Sequence, residues 1–353
     1  MLIAAFNGLR IETNQMDKKD PTPCVDPNVT LRKKPVQKEA GVRKVAEMDL
    51  PQYVTCRGKR FTIHRRVGKG GFGTVHQVKD ISGHKFAMKT LCEQPKFDAV
   101  AIKNELNICL QLRHPNIIQF LGYQVDSVRK LHFFLMEYAG HGTLLDFIVQ
   151  KRACNHWLRR HIFHQLITAV AFIHQSGFVH RDLKAENILF TDPTTVKICD
   201  FGLTRFIQKD DMQREVKRKS QSGTVMYFSP LKFKGCPSLA TKDDVWALGA
   251  VLLMFATGRQ LWTSLEQKKQ MFSNWLRNPT QREEFYLLSH IDLQAYNLLR
   301  QMLHPVEDCR WTIFKSREFI SILAGVNSSY VVAQPKTSMS QNRSSCLQHP
   351  YRV

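Results

Sequence analysis

The chain has 353 residues, of which 43% are hydrophobic and 23% charged, and its formal net charge is +21. This composition is typical of a folded globular protein and excludes the fibrous, disordered and membrane classes. The longest apolar run, residues 246–256, is too short to cross a bilayer, so no transmembrane segment is predicted.

The nine cysteines predict a location inside the cell. Their number is odd, they are scattered from Cys24 to Cys346, and no Cys-x-x-Cys pair occurs. This pattern fits neither a disulfide framework nor a zinc site, and it is typical of a reducing compartment. The apolar start of the chain is short and lacks a basic flank, so no secretory signal is predicted and we expect the cytoplasm or the nucleus.

The excess positive charge lies within residues 56–325, which hold 39 basic and 23 acidic side chains. Such a surface attracts acidic partners, whether nucleotide, nucleic acid, anionic lipid or acidic protein. A solvated basic face without a special partner explains the charge equally well. Because no zinc-ligand spacing or basic and aromatic repeat accompanies the charge, we expect no specific nucleic-acid partner.

Taken in chain order, the predicted elements divide the chain into two tails and a folded part. Residues 1–55 predict a disordered leader, and residues 326–353, rich in Ser, Gln and Asn, predict a second disordered tail. Between them, β-like runs are followed by amphipathic stretches, which predicts a small β-rich lobe, a larger helical lobe and a cleft at their junction. The predicted strands are 62–67, 74–79, 84–90, 117–124 and 132–137, and the predicted helices are 97–112, 144–152, 155–175, 242–258 and 293–303.

Four glycines lie between the first two predicted strands, in the pattern Gly68-Lys-Gly70-Gly71-Phe-Gly73. Glycine lets backbone amides approach phosphate oxygens closely, so this loop is a candidate phosphate cover. The same pattern occurs in dinucleotide-binding folds, but those require a helix directly after it, and here a strand is predicted. Taken alone, the glycines are also compatible with a plain hairpin.

A lysine and a glutamate follow this loop at a spacing that suits phosphate binding. Lys89 closes the next predicted strand, and Glu105 lies sixteen residues later, within the predicted helix. From there the glutamate can hold the ammonium group by an ion pair. An isolated Lys/Glu pair is commonly a surface feature of little consequence, but beside a phosphate loop we interpret it as functional.

The strongest motif is residues 180–187, His-Arg-Asp-Leu-Lys-Ala-Glu-Asn, followed by Asp-Phe-Gly at residues 200–202. These segments resemble the catalytic loop and the metal-binding motif of protein kinases. Together with the glycine-rich loop and Lys89 they match that family in identity, order and spacing over residues 61–320. The chain is therefore identified as a member of the eukaryotic protein kinase superfamily.

The resemblance implies a serine/threonine kinase with the bilobal α+β fold. The kinase domain is expected at residues 56–325, with an N-lobe at about 61–138 and a C-lobe at about 142–325. The type is CAMK-like, and residues 272–275 and 310–313 faintly resemble checkpoint kinases. Asp244 is expected to anchor the buried central helix of the C-lobe.

The resemblance also implies which residues transfer the γ-phosphoryl group of ATP to a serine or threonine of a protein substrate. Asp182 would accept or orient the proton of the substrate hydroxyl. Lys184, which is typical of serine/threonine kinases, would steady the γ-phosphate. Asn187 and Asp200 would hold Mg²⁺, a hard cation that prefers oxygen ligands.

The expected ATP site lies under the glycine-rich loop. Its gatekeeper falls on Met136, and the hinge that meets adenine falls on residues 137–139. The residues expected to bind ATP are Val67, Gly68, Gly70, Gly71, Gly73, Val75, Ala87, Lys89, Met136, Glu137, Ala139 and Leu189.

The segment from residue 200 to about residue 231 implies control by phosphorylation. Arg181, directly before Asp182, is typical of kinases that need a negative charge on this segment. A phosphate on Ser220 or Ser222 could pair with Arg181, and an upstream activating kinase is then expected. Thr224 is expected to contact the catalytic Asp and Lys instead.

Two features depart from the family pattern or add to it. Leu231 stands where the family ends Ala-Pro-Glu, and that glutamate ordinarily pairs with the arginine at the position of Arg310. We expect Arg310 either to find another acid or to be more exposed. Cys199, next to the metal-binding motif, is expected to be a small buried hydrophobic residue, although covalent capture there stays open.

Two alternative functions remain open from the sequence. The first is a pseudokinase, a catalytically weak or inactive scaffold of the same fold, which only Leu231 favours. The second is a small-molecule kinase of related fold, which the long segment ending in Gly-Thr-x-x-Tyr-x-x-Pro at residues 223–230 disfavours. Magnesium-dependent ATP turnover separates the active kinase from the scaffold.

Overall fold

The computed structural model describes residues 50–70, 73–93, 99–150, 154–259, 262–277 and 293–323. Within these ranges the chain forms a β-rich N-terminal lobe and a helical C-terminal lobe, as predicted. None of the helices in these ranges is long and apolar enough to cross a membrane. The predicted tail of residues 326–353 and most of the predicted leader lie outside the described residues.

The N-lobe is a six-stranded antiparallel sheet with the strand order β1-β2-β3-β4-β6-β5. One face packs around Val78 and Met88, and the other packs against helix α1 through Ile102 and Phe134. The same helix carries the buried Glu105 toward the sheet. The elements of this lobe are β1 (Tyr53–Cys56), β2 (Lys59–Gly70), β3 (Gly73–Lys79), β4 (Lys85–Cys92), α1 (Ala99–Gln111), β5 (Phe120–Asp126) and β6 (Leu131–Glu137).

The sheet begins earlier in the chain than predicted, because β1 starts at Tyr53, within the predicted leader of residues 1–55. Val54 and Cys56 alternate with exposed neighbours and are buried against the core of the sheet. Arg57 and Gly58 form the turn to β2, with φ angles of 50° and 74° that suit a two-residue hairpin. Four residues carry too little alternation to be recognised beside a polar leader, and it is the pairing with β2 that identifies the strand.

The C-lobe is organised around helix α5. Thirteen consecutive residues of α5, from Asp243 to Phe255, are buried. Gly249 lets the end of the neighbouring helix approach, since a Cβ atom at this position would lie 3.0 Å from the Leu303 side chain. The helices of this lobe are α2 (Leu144–Val149), α3 (His156–Gln175), α4 (Pro230–Phe233), α5 (Ala240–Thr257), α6 (Leu265–Arg277), α7 (Leu293–Met302) and α8 (Ile313–Leu323).

Two short antiparallel strand pairs hold the loops that carry the chemistry. The strands are β7 (Phe178–Val179), β8 (Ile188–Phe190), β9 (Val196–Ile198) and β10 (Arg205–Phe206), paired as β7 with β10 and β8 with β9. Residues 180–187 connect β7 to β8, and residues 200–202 follow β9. Both motifs therefore lie at the boundary between the helical lobe and the sheet.

Candidate active site

Lys89 lies at the centre of an ionic network between the two lobes. It is on β4, and its Nζ atom is 2.7 Å from Glu105 Oε1 and 2.8 Å from Asp200 Oδ1. Burial disfavours the ammonium form, but the carboxylates of Asp200 and Glu105 outweigh it and raise the pKa of Lys89. The lysine is therefore a permanent positive charge beneath the glycine-rich loop, and the predicted pairing with Glu105 is present.

Asn187 and Asp200 are the side chains that fit a magnesium ion. Asn187 Nδ2 donates to the backbone carbonyl of Asp182 at 2.9 Å, so the amide presents its oxygen on the opposite side. Burial acts to raise the pKa of Asp200, but Lys89 lowers it, which keeps the carboxylate charged. Mg²⁺ is commonly bound by one or two protein oxygens together with substrate phosphates. No group of three or more His, Cys, Asp or Glu that could hold a metal occurs in the described part of the chain.

Both carboxylate oxygens of Asp182 are hydrogen-bonded. Oδ1 accepts from the backbone N–H and from the hydroxyl of Thr224, each at 2.8 Å. Oδ2 is 2.8 Å from Lys184 Nζ, and that same Nζ donates to Thr224 Oγ1 at 3.1 Å. The predicted contact of Thr224 with the catalytic Asp and Lys is thus present in the structure.

Asp244 fixes the catalytic loop to α5, as the sequence predicts. Its carboxylate accepts from the backbone N–H groups of His180 at 2.7 Å and Arg181 at 2.8 Å, and His174 Nε2 lies 3.0 Å away. Burial acts to raise the pKa of Asp244, but the hydrogen bond from His174 and the neighbouring positive groups lower it. Arg181 has a φ of 71°, which is uncommon for a residue with a side chain, and these bonds hold it there.

Arg181 contacts both serines of the activation segment that were predicted as phosphorylation sites. Its Nη2 atom donates to Ser220 Oγ at 2.7 Å and to Ser222 Oγ at 3.0 Å. Burial and the nearby Arg205 lower the pKa of Arg181, while Asp244 and Asp243 act to raise it, so the guanidinium is a partly desolvated charge. A negative group on either serine would be stabilised there.

The expected ATP site is brought together at the cleft. Gly73 has to be a glycine, because a Cβ atom there would lie 2.1 Å from the carbonyl oxygen of Thr90. Ala87 and Met136 are direct partners across β4 and β6. Gly71 lies outside the described residues. The remaining expected residues occupy strands or the hinge: Val67, Gly68, Gly70 and Val75 on β2 and β3, Glu137 at the end of β6, Ala139 after it, and Leu189 on β8.

The hinge contains an ion pair that the sequence did not predict. Glu137 Oε1 accepts from Lys197 Nζ at 2.8 Å and from the backbone N–H of Gln119 at 2.6 Å. The side chain of Glu137 thus joins β6 to β9. The expected contact with adenine would therefore be made by its backbone. Sixty positions separate the two partners, and no local pattern signals such a contact.

Arg310 is not more exposed, which contradicts one expectation, and the acids near it, Asp243 and Glu307, act to raise its pKa without forming a salt bridge. It is only 1% exposed, and no carboxylate within the described ranges forms a salt bridge with it. Its guanidinium lies 5.0 Å from the ring of Trp246. Burial lowers its pKa to about 10, so it stays charged at neutral pH. Its three hydrogen bonds go to backbone carbonyls: His304 at 2.9 Å, Lys242 at 3.0 Å and Pro305 at 3.4 Å. The guanidinium that lacks its usual glutamate because of Leu231 is therefore hydrogen-bonded to the backbone instead.

Known proteins resemble the chain over the same region. The family model of the protein kinase domain matches residues 61–319. NUAK family SNF1-like kinase 1 of Homo sapiens is 34% identical over 261 residues, which are 72% of this chain and 37% of that protein. The serine/threonine-protein kinase ppk25 of Schizosaccharomyces pombe is 34% identical over 203 residues, 56% of this chain and 46% of that protein. CBL-interacting protein kinase 5 of Oryza sativa subsp. japonica is 26% identical over 292 residues, 79% of this chain and 59% of that protein.

The fold, the ionic network and these matches define the class of protein. The chain belongs to the protein kinase family and is of the serine/threonine, CAMK-like type. It spans 37% of the length of the human relative, so the match concerns the kinase domain and not the whole of that protein. The fainter resemblance to checkpoint kinases stays a prediction.

Proposed function

We propose that this chain is an active kinase, which uses ATP and Mg²⁺ to phosphorylate serine or threonine in other proteins. The observation that carries the proposal is that two sets of ion-paired side chains lie in the same cleft. Lys89 Nζ lies 2.7 Å from Glu105 Oε1 and 2.8 Å from Asp200 Oδ1, and Lys184 Nζ lies 2.8 Å from Asp182 Oδ2. This geometry supports the proposal, because these are the charged side chains that the transfer would use.

On the nucleotide side, we propose that Lys89 binds the α and β phosphates under the glycine-rich loop. Glu105 keeps the ammonium group directed into the cleft, and burial makes that charge more effective. Asn187 and Asp200 would hold Mg²⁺, which when bound neutralises charge on the phosphates. The donor set of an amide oxygen and an ionised carboxylate fits this ion.

On the protein-substrate side, we propose that Asp182 orients the attacking hydroxyl and takes up its proton. Lys184 lies 2.8 Å from that carboxylate and would stabilise the negative charge of the γ-phosphate during transfer. Thr224 fixes the carboxylate from the other side with two hydrogen bonds of 2.8 Å. Phosphoryl transfer depends mainly on such positioning, because its transition state is loose.

Phosphate transfer from labelled ATP to a mixed peptide panel tests this proposal. The wild type is compared with Lys89→Met and Asp182→Asn, and with Lys85→Met as the control, since Lys85 is an exposed lysine on the same strand. Transfer should fall at least about a hundredfold in the first two variants and persist in the control. If the wild type transfers no phosphate, even after phosphorylation by a cell extract, the scaffold alternative is supported.

We further propose that an upstream kinase activates the protein through Ser220 or Ser222. Both hydroxyls already contact Arg181, so a phosphate at either position would form charge-assisted hydrogen bonds with that guanidinium. The double variant Ser220→Ala/Ser222→Ala should have a lower kcat than the wild type after treatment with activating extract. Ser82→Ala, at an exposed turn, is the control. Equal kcat values in wild type and double variant would contradict this regulation.

A location inside the cell, in the cytoplasm or nucleus, belongs to the same proposal. The seven cysteines within the described residues are free thiols, which suits a reducing compartment. Microscopy of a tagged full chain tests this, and a secreted product would contradict it.

A further inference from the structure

A lysine of α6 lies buried beneath the turn that follows Thr224. Lys268 has 0% exposure, and its Nζ atom donates to the carbonyl oxygens of Val225 at 2.7 Å and Met226 at 2.9 Å. Val225–Tyr227 is a single 3-10 turn between the catalytic contact of Thr224 and helix α4. The lysine therefore contacts the backbone of the turn from the buried side, opposite to solvent.

The surroundings of Lys268 compensate its charge without a carboxylate. Burial lowers the pKa of Lys268 well below its ordinary value, and the charged neighbour that adds to this effect is Lys232, another cation. Within the described part of the chain, carbonyl oxygens and aromatic faces are its contacts. A buried ammonium is costly unless it is hydrogen-bonded, and ring faces attract it electrostatically. The rings are those of Trp262 at 4.5 Å, Phe233 at 5.2 Å and Phe272 at 5.2 Å.

A second donor acts on the same turn. Trp262 Nε1 donates to the carbonyl oxygen of Met226 at 2.9 Å, so that oxygen accepts two hydrogen bonds. The ring of Trp262 packs on Phe272 of α6 with centroids 5.5 Å apart. Lys268 and Trp262 thus form one clamp, which joins α6 and the segment that leads into it to the backbone of the turn.

The clamp acts on the chain segment that lacks the ion pair usual in this family. Leu231 cannot form the ion pair that ordinarily links the end of this segment to the helical lobe, and Arg310 is occupied by backbone carbonyls. The turn still needs a fixed position, because Thr224 at its start donates two hydrogen bonds to Asp182. Any shift of Val225 is passed to Thr224 through the peptide bond that joins them.

We propose that Lys268 is a positioning residue that holds the Val225–Tyr227 turn in the shape that receives the protein substrate. This inference rests on the proposed kinase activity and extends it to a residue outside the family motifs. Lys268 acts through the backbone of the turn and does not touch the reacting atoms. Its loss should therefore weaken the use of peptide while leaving the use of ATP intact.

Steady-state kinetics of Lys268→Met test the proposal, because methionine keeps most of the volume and removes the donors. The control is Lys269→Met, at the exposed neighbouring position. The KM for peptide should rise about tenfold in Lys268→Met, with the KM for ATP within about twofold of wild type. An unchanged peptide KM, or equal rises in both KM values, would overturn the proposal, since equal rises indicate general damage.

Hydrogen exchange gives a readout that needs no phosphate transfer. The backbone amides of residues 225–228 should exchange about tenfold faster in Lys268→Met than in Lys269→Met, and unchanged exchange would contradict the clamp. A wild type without kinase activity would thus refute the proposed function and still leave the clamp testable. If Lys268→Met does not fold, Trp262→Phe, which keeps the ring and removes Nε1, should show a smaller increase in the same exchange rates. No increase in that variant overturns the proposal.

Discussion

At the scale of single residues, the carboxylate of Asp182 is arranged before a substrate arrives. Thr224 supplies two hydrogen bonds to one oxygen, and Lys184 approaches the other. Donors that are already oriented need no rearrangement when charge develops, which is the main source of electrostatic catalysis. The hydroxyl of Thr224 is thus as much a part of the arrangement as the charged groups.

Replacement of that hydroxyl provides a first prediction. Thr224→Val keeps the shape of the side chain and removes the donor to Asp182, so kcat should fall about tenfold. Thr224→Ser retains the hydroxyl and is the matched control. Steady-state kinetics on the best peptide measure the difference, and equal kcat values for the two variants would show that the backbone N–H of Thr224 suffices.

The thiol of Cys199 provides a second prediction, on reactivity. Burial raises the pKa of Cys199 to about 12, so the thiol stays protonated throughout the neutral range and little of the reactive thiolate is present at pH 8. Iodoacetamide at pH 8 should modify the exposed Cys309 and spare Cys199, as read by peptide mass spectrometry. Rapid labelling of Cys199 would reopen covalent capture.

At the scale of elements, α5 supports the catalytic loop through Asp244. The carboxylate binds two backbone N–H groups of that loop and lies beside His174 of α3, so one side chain joins two helices and the site. Its pKa is lowered from the ordinary value of 3.8. The carboxylate therefore stabilises the folded state at pH values above 3.8, and this contribution disappears as the pH falls through the lowered folded-state pKa.

Asp244→Asn should accordingly lower the urea midpoint, with a cost of about 3 kcal/mol at pH 7, because an amide cannot accept all three bonds. The difference from wild type should shrink as the pH falls below 3.8, because the unfolded chain there takes up a proton that the folded carboxylate, with its lowered pKa, does not yet bind. Asp211→Asn, at an exposed position, is the control and should change neither value. A pH-independent difference would mean that Asp244 acts by shape alone.

The elements that the sequence predicted are those whose pattern is local. Helix α3 has apolar positions at helical spacing over 20 residues, and the 18-residue α5 contains the longest apolar run of the chain, which is enough to identify both helices and place their ends within a few positions. Strand β1 has four residues and is recognised only through its partner. The proposed catalytic residues stand out for a different reason, because phosphoryl transfer demands fixed residue types at fixed spacing. Lys197 and Lys268 were not predictable, because their partners lie 60 and 43 positions away and carry no motif.

At the scale of the whole molecule, two ion pairs among the described residues connect the lobes across the cleft. Lys89 on the sheet pairs with Asp200, and Glu137 at the end of the sheet pairs with Lys197. A nucleotide that binds Lys89, the proposed phosphate ligand, would therefore be coupled to both lobes. Binding of a nucleotide should stabilise both lobes together.

Thermal unfolding provides the corresponding prediction. A non-hydrolysable ATP analogue with Mg²⁺, at a hundred times its Kd, should stabilise the wild type by about 2.7 kcal/mol and raise its Tm. The increase should be smaller when EDTA removes the metal, and smaller again in Lys89→Met. Lys85→Met is the control with the full increase. An equal increase in Lys89→Met would place the nucleotide away from this lysine.

The main-chain cage around Arg310 has a consequence for the mutability of the protein. A carboxylate partner is lost by one substitution, whereas a carbonyl oxygen is supplied by every amino acid. The guanidinium is held at His304, Lys242 and Pro305 through oxygens that no side-chain replacement removes. Residue 231 therefore need not supply a carboxylate. Substitutions at this position should be tolerated as long as the new side chain fits the space that Leu231 occupies.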